Sequence, residues 1–201
     1  MISADQFEKI RRRFGGVASW AVWAREGATP KSNIGDLSVL DPSANPKLLQ
    51  ALHARCILLG LNISRQLEKP FANFHDPSPR ATDFKLRFAF EGTEGWGAYM
   101  TDIIKGYEER ESGKLLDYLR LNPRFERDSI DVFRAELALL RAEQPVIIAL
   151  GRDVWNIARR NLGSEFRVIA VPHYAHFLSK EKYRAEVIAS MQALGEPEPG
   201  G

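Results

Sequence analysis

Cysteine is almost missing from this chain: Cys56 is the only one in 201 residues. That excludes an internal disulfide, and it excludes a four-cysteine zinc or iron–sulfur centre. No run of about 18 apolar residues occurs, so no membrane span is expected. An excess of one charge is missing too. The 28 Lys and Arg stand against 26 Asp and Glu, a net charge of +2. Such a balance neither demands nor forbids a polyanionic partner, since local patches matter more than totals. Familiar catalytic signatures are absent as well. There is no Gly-x-Ser-x-Gly nucleophile elbow, no phosphate-binding glycine loop and no dinucleotide fingerprint. Met1 to Phe14 lacks the apolar core of a signal peptide, which makes a cytoplasmic protein the expectation. His173 and His176 lie three residues apart, but no third ligand follows at metal spacing, so neither a metal nor another cofactor is expected.

What remains is an ordinary globular composition, 44% hydrophobic and 27% charged, in a length that fits a single monomeric domain over residues 1–201. Ser3 followed by Asp5–Arg13 reads as a capped charged helix that Gly15-Gly16 breaks. Val17–Ala24 reads as a short apolar helix, and Thr29–Pro46 as a long ordered loop. Residues 1–45 therefore look like a helical N-terminal extension. The tail 195–201, rich in Pro and Gly, should fray.

Between these ends, strand and helix patterns alternate. Arg55–Leu61, Gly97–Ile104, Pro145–Leu150 and Phe166–Val171 are short apolar runs of the kind that form buried parallel strands. Thr82–Phe90, Ser129–Glu143, Asp153–Asn161 and Ser179–Leu194 carry helical spacing. The expectation is an α/β fold, a three-layer α/β/α sandwich around a four-stranded parallel sheet. Ligands of such sheets bind outside the carboxyl ends of the strands. Those ends lead into Gly60-Leu61-Asn62-Ile63-Ser64, Thr101-Asp102, Gly151-Arg152-Asp153 and Pro172-His173-Tyr174-Ala175-His176-Phe177.

These segments resemble the uracil-DNA glycosylase superfamily, in order and spacing, from about Cys56 to about Val187. GLNIS is similar to the first motif, nearest to the Gly-x-Asn-Pro-Gly form of the mismatch-specific uracil/thymine branch. Pro70-Phe71-Ala72 resembles the segment that supplies a ring stacked on the flipped base. TDIIK resembles the strand that carries a base-reading Asn. PHYAHFLSK resembles the second motif, usually His-Pro-Ser followed by a DNA-intruding loop. Three departures accompany the likeness: Ile63-Ser64 replace Pro-Gly, Asp102 stands at the Asn position, and Tyr174-Ala175 replace Pro-Ser. They bear on uracil specificity more than on the fold. The resemblance implies a DNA repair enzyme that flips a damaged base and hydrolyses its glycosidic bond. The alternative is a module that binds DNA or a base on the same fold without catalysis.

Each role has its own physical content and a plainer alternative. Asn62 would position the attacking water through its side-chain carbonyl, or is a turn former. As a residue at a surface cleft, its truncation should leave stability nearly unchanged. His173 would donate to the leaving base, stabilising charge where it develops, or is a histidine satisfied by backbone. Phe71 or Phe74 would stack on the base, with Ser64 beside it, or both rings pack the core. Asp102 would read the base edge. When ionised it offers only acceptors, which suits two neighbouring donors and repels a uracil carbonyl; otherwise it caps a turn or pairs with Lys105. Arg65 and Lys180 would contact phosphates, or belong to a solvated face. Phe177-Leu178 would wedge into the base stack, or staple the last helix.

Overall fold

The computed structural model describes residues 1–192; the expected frayed tail lies outside them. In chain order the elements are α1 (Ala4–Phe14), β1 (Ala18–Trp20), α2 (Leu48–Ala51), β2 (His53–Gly60), α3 (Phe84–Phe90), β3 (Ala98–Asp102), α4 (Ser112–Leu121), α5 (Pro123–Leu140), β4 (Val146–Leu150), α6 (Arg152–Leu162), β5 (Val168–Val171) and α7 (Lys180–Gln192). One five-stranded sheet runs in the order β1-β3-β2-β4-β5. β2, β3, β4 and β5 are parallel; β1 joins β3 antiparallel at the edge.

The sheet is buried on both faces, and β2 shows why its sequence is a continuous apolar run. Ile57 and Leu59 face one core, with Phe7 and Ile10 of α1, Phe133 of α5 and Ile157 of α6. Cys56 and Leu58 face the other, with Leu86 and Phe90 of α3 and Tyr183 and Val187 of α7. A strand covered on both sides cannot show polar alternation. The layers are therefore α/β/α, as the sequence pattern predicts.

Three expectations need correction. The sheet has five strands rather than four, because Val17–Ala24 is not a helix: Ala18–Trp20 pairs with β3, and Ala21 continues the pairing to Ala98 at 2.8 Å. Trp20 and Val22 enter one core while Ala21 and Trp23 enter the other. That is the period of a strand, hidden because both faces are apolar. α5 begins at Pro123, six residues before the expected start, and Arg141 ends it in the left-handed region at φ 52°. Pro at the first helical position is a start signal. α4 carries no expectation from the sequence at all. Residues 1–45 are built into the domain rather than appended: α1 packs on α5 and β1 extends the sheet. The long loop is tied down by Arg87, whose guanidinium donates to the carbonyls of Ala24, Pro30 and Ser32 at 2.7–2.9 Å. No helix among the described residues is long and apolar enough to cross a membrane.

Candidate functional site

All four parallel strands deliver their carboxyl ends to one cleft of about 570 Å3, within the size range of small-ligand sites. Asn62, Ser64, Phe74, Asp102 and His173 all line it. The register Gly60↔Asp102 sets the ends of β2 and β3 side by side, so the first two expected segments meet at its floor.

Asn62 is fixed by three backbone carbonyls. Its Nδ2 donates to Ile63 at 2.9 Å, Tyr107 at 3.2 Å and Glu109 at 2.8 Å. Only the NH2 end of the amide can face carbonyls, its two N–H groups being shared among the three, so the orientation of the group is determined by its surroundings. Oδ1 is left as the uncommitted polar atom, with no donor from the described residues. An amide held this way presents a carbonyl oxygen suited to orienting a water.

His173 follows β5 in a loop that turns back on itself. His176 N–H bonds to the His173 carbonyl at 2.9 Å, and Lys85 Nζ holds the His176 carbonyl at 2.9 Å. Ala175 N–H donates to Nδ1 of His173 at 3.1 Å. Nδ1 is thus an acceptor, and the ring proton resides on Nε2. Burial pushes the His173 pKa down to about 4, helped by His176 and opposed by Asp153. The imidazole is neutral at physiological pH, with Nε2–H as a donor. The ring stacks on Tyr174 at 4.5 Å and 20°. Gly151, at φ 110°, makes room: a β-carbon there would lie 3.2 Å from His173 Cβ.

Asp102 is buried, 3% exposed. Its Oδ2 accepts from Asn73 Nδ2 at 2.8 Å. Its Oδ1 occupies the space of the missing Gly60 side chain, 2.2 Å from where a β-carbon would stand. Burial raises its pKa to about 7, with Asn73 and Lys105 lowering it and Glu136 raising it. It does not pair with Lys105, whose Nζ is bound by Thr101 Oγ1 at 2.7 Å and Glu136 Oε1 at 2.8 Å.

The structure separates the two candidate rings. Phe74 lines the cleft, held at φ 62°, with its ring edge-on to Tyr174 at 6.5 Å. Phe71 packs on Phe7 at 5.3 Å in the core and does not line the cleft. Of the candidate DNA contacts, Phe177 is fully exposed on the loop after β5 and Leu178 is half-buried beside it. Arg65 is bound to Asp76 at 2.7 Å. Lys180 lies 3.8 Å from Glu26 and over the Phe88 ring. Both cations are therefore engaged within the protein.

Sequence reasoning missed Asn73, Asp83 and Arg110, and it gave no role to Arg152 and Tyr174 in the strand-end segments it singled out; all five line the cleft. Arg80 lines it as well. Asn73 and Asp83 lie in chain segments between strands, where spacing gives no signal. Asp83 is 6% exposed, and burial raises its pKa to about 6 against the hydrogen bond from Asp76 N–H.

No protein-family model matches this chain, and no curated protein matches it significantly.

Proposed function

We propose that the protein is a DNA glycosylase that takes a damaged or modified base into this cleft and hydrolyses its N-glycosidic bond. The observation that carries the reading is the meeting of an oriented Asn62 carbonyl, a neutral His173 donor and the Phe74 ring in one cleft at the sheet's carboxyl edge. Breaking the bond leaves an oxocarbenium-like sugar and an anionic base. Asn62 Oδ1 accepts from the attacking water and orients it. Being a weak proton acceptor, it positions more than it deprotonates. Nε2–H of His173 donates to the oxygen on which negative charge develops, and a neutral donor needs no proton transfer to do so. Phe74 gives the extruded base an apolar surface. Exposed Arg80, Arg110 and Arg152 at the rim have no carboxylate partner among the described residues and are placed to meet phosphates.

A second reading, binding without hydrolysis, is favoured by that weak basicity of Asn62. One assay separates the two. The protein is incubated with duplex and single-stranded oligonucleotides carrying a panel of lesions, and alkali-labile abasic sites are scored. Abasic product is the expected outcome; retention of the strand without product supports the binding module.

A further inference from the structure

A base-flipping cleft must match the edge of the base it admits, and the floor of this one is rich in acceptors while its rim is basic. Asp102 Oδ2 takes one hydrogen bond from Asn73, and Oδ1 takes none from the described residues. Lys105 is engaged by Thr101 and Glu136. Asp83, buried in the same cleft, accepts from Asp76 N–H at 2.8 Å. Arg65, whose charge acts on it, is bound to Asp76 instead. The Tyr174 phenol is kept protonated by burial first, then by the charges of both Asp83 and Asp102. That ring therefore lies within electrostatic reach of each carboxyl. Both carboxyls open on the cleft, so a ligand bearing donors can meet acceptor capacity that the described residues leave free.

Resting on the glycosylase reading, we propose that the cleft selects a guanine-type base, whose N1–H and exocyclic amine are donated to Asp102, with Asp83 as a second acceptor. This edge is shared by guanine and those derivatives that keep it. Uracil and thymine would set a carbonyl oxygen against Asp102, and adenine offers one amine flanked by acceptors. Selection sharpens with rising pH. Above about 7 Asp102 is ionised and only accepts; below it, the protonated form donates and tolerates a carbonyl. Besides burial, Asn73, Lys105 and Glu136 set this titration, with the protonated Tyr174 phenol nearby; Asp76 and Arg65 act on the neighbouring Asp83.

The test is calorimetric binding of deoxyguanosine, deoxyadenosine and deoxyuridine at pH 8 and pH 6, alongside single-stranded pentanucleotides with each base at the centre. Wild-type protein should prefer guanine over uracil by at least about tenfold at pH 8, a free-energy difference of about 1.4 kcal/mol. The margin should narrow at pH 6. Asp102→Asn should reverse the order, and Asp83→Asn should weaken guanine binding without reversing it. A preference seen with nucleosides alone identifies a free ligand; one seen only in pentanucleotides identifies a base within a strand. Equal or tighter uracil binding at pH 8 in both ligand sets, or an unchanged order in folded Asp102→Asn, would overturn the proposal, as would no binding in either set. The abasic-site assay stands apart from this outcome. Product from uracil DNA without guanine preference removes the base class and leaves the glycosylase; guanine preference without product on any lesion does the reverse.

Discussion

Asn62 fastens three backbone carbonyls from two segments of chain, so its removal acts on stability as well as on chemistry. The sequence suggests a truncation that leaves stability nearly untouched; the three hydrogen bonds of Nδ2 argue otherwise. Asn62→Ala should lower turnover by about two to three decades. It should also cost about 1–2 kcal/mol, because part-buried acceptors lose their donor. Single-turnover kinetics and thermal melting of the same preparation measure both. Unchanged turnover in a folded variant would end its role as water positioner. Asp102 gives a second residue-scale prediction. Its folded pKa of about 7 lies above the unfolded value of 3.8, so the native state binds the extra proton between them. Stability from this group is full below the lower value and is lost as pH rises through the upper one. Asp102→Asn should therefore gain stability relative to wild type between pH 4 and pH 8, by at most about 4 kcal/mol. Melting across that range checks the sign; a constant difference would contradict the raised pKa.

Among the elements, the segment between β2 and α3 decides which aromatic ring meets the ligand. Phe71 and Phe74 both hold positive φ, 64° and 62°, yet they point into different layers. Phe71→Ala should cost about 3–5 kcal/mol as a core cavity and leave affinity per folded molecule unchanged. Phe74, 4% exposed and part of the second core, should also lose stability on truncation to Ala, but unlike Phe71→Ala it should weaken base binding per folded molecule. Equal effects of the two on affinity would show that the cleft is not the binding site. The four parallel strands were legible because each is a short apolar run bounded by turn residues. Asn62, Asp102 and His173 were legible because they follow those runs, and a parallel sheet brings the ends of its strands together. β1 was not, since burial on both faces erases the difference between strand and helix periods. Asn73 and Asp83 were not, because their place depends on how a long connection folds back over the sheet.

At the scale of the whole molecule, a net charge of +2 hides an uneven distribution. Acidic groups lie on the floor of the cleft, and Arg80, Arg110 and Arg152 stand at its rim without a carboxylate partner among the described residues. Phosphate contacts release counterions, so each rim arginine that makes one should add about 0.7–0.9 to the slope of log K against log salt. Replacing any of the three by Gln should lower that slope by about one contact while leaving nucleoside binding intact. Salt titrations of oligonucleotide binding check this, and an unchanged slope in all three variants would place the strand elsewhere. The central claim is that this cleft is where an extruded base lies. A crystal structure with an oligonucleotide carrying a non-hydrolysable 2′-fluoro nucleotide measures it directly. The predicted result is one nucleotide turned out of the strand, its base against Phe74 within hydrogen-bonding distance of Asp102 and of His173 Nε2, and a water on Asn62 Oδ1. A strand bound across another face, or a base that stays outside the cleft, would contradict the account.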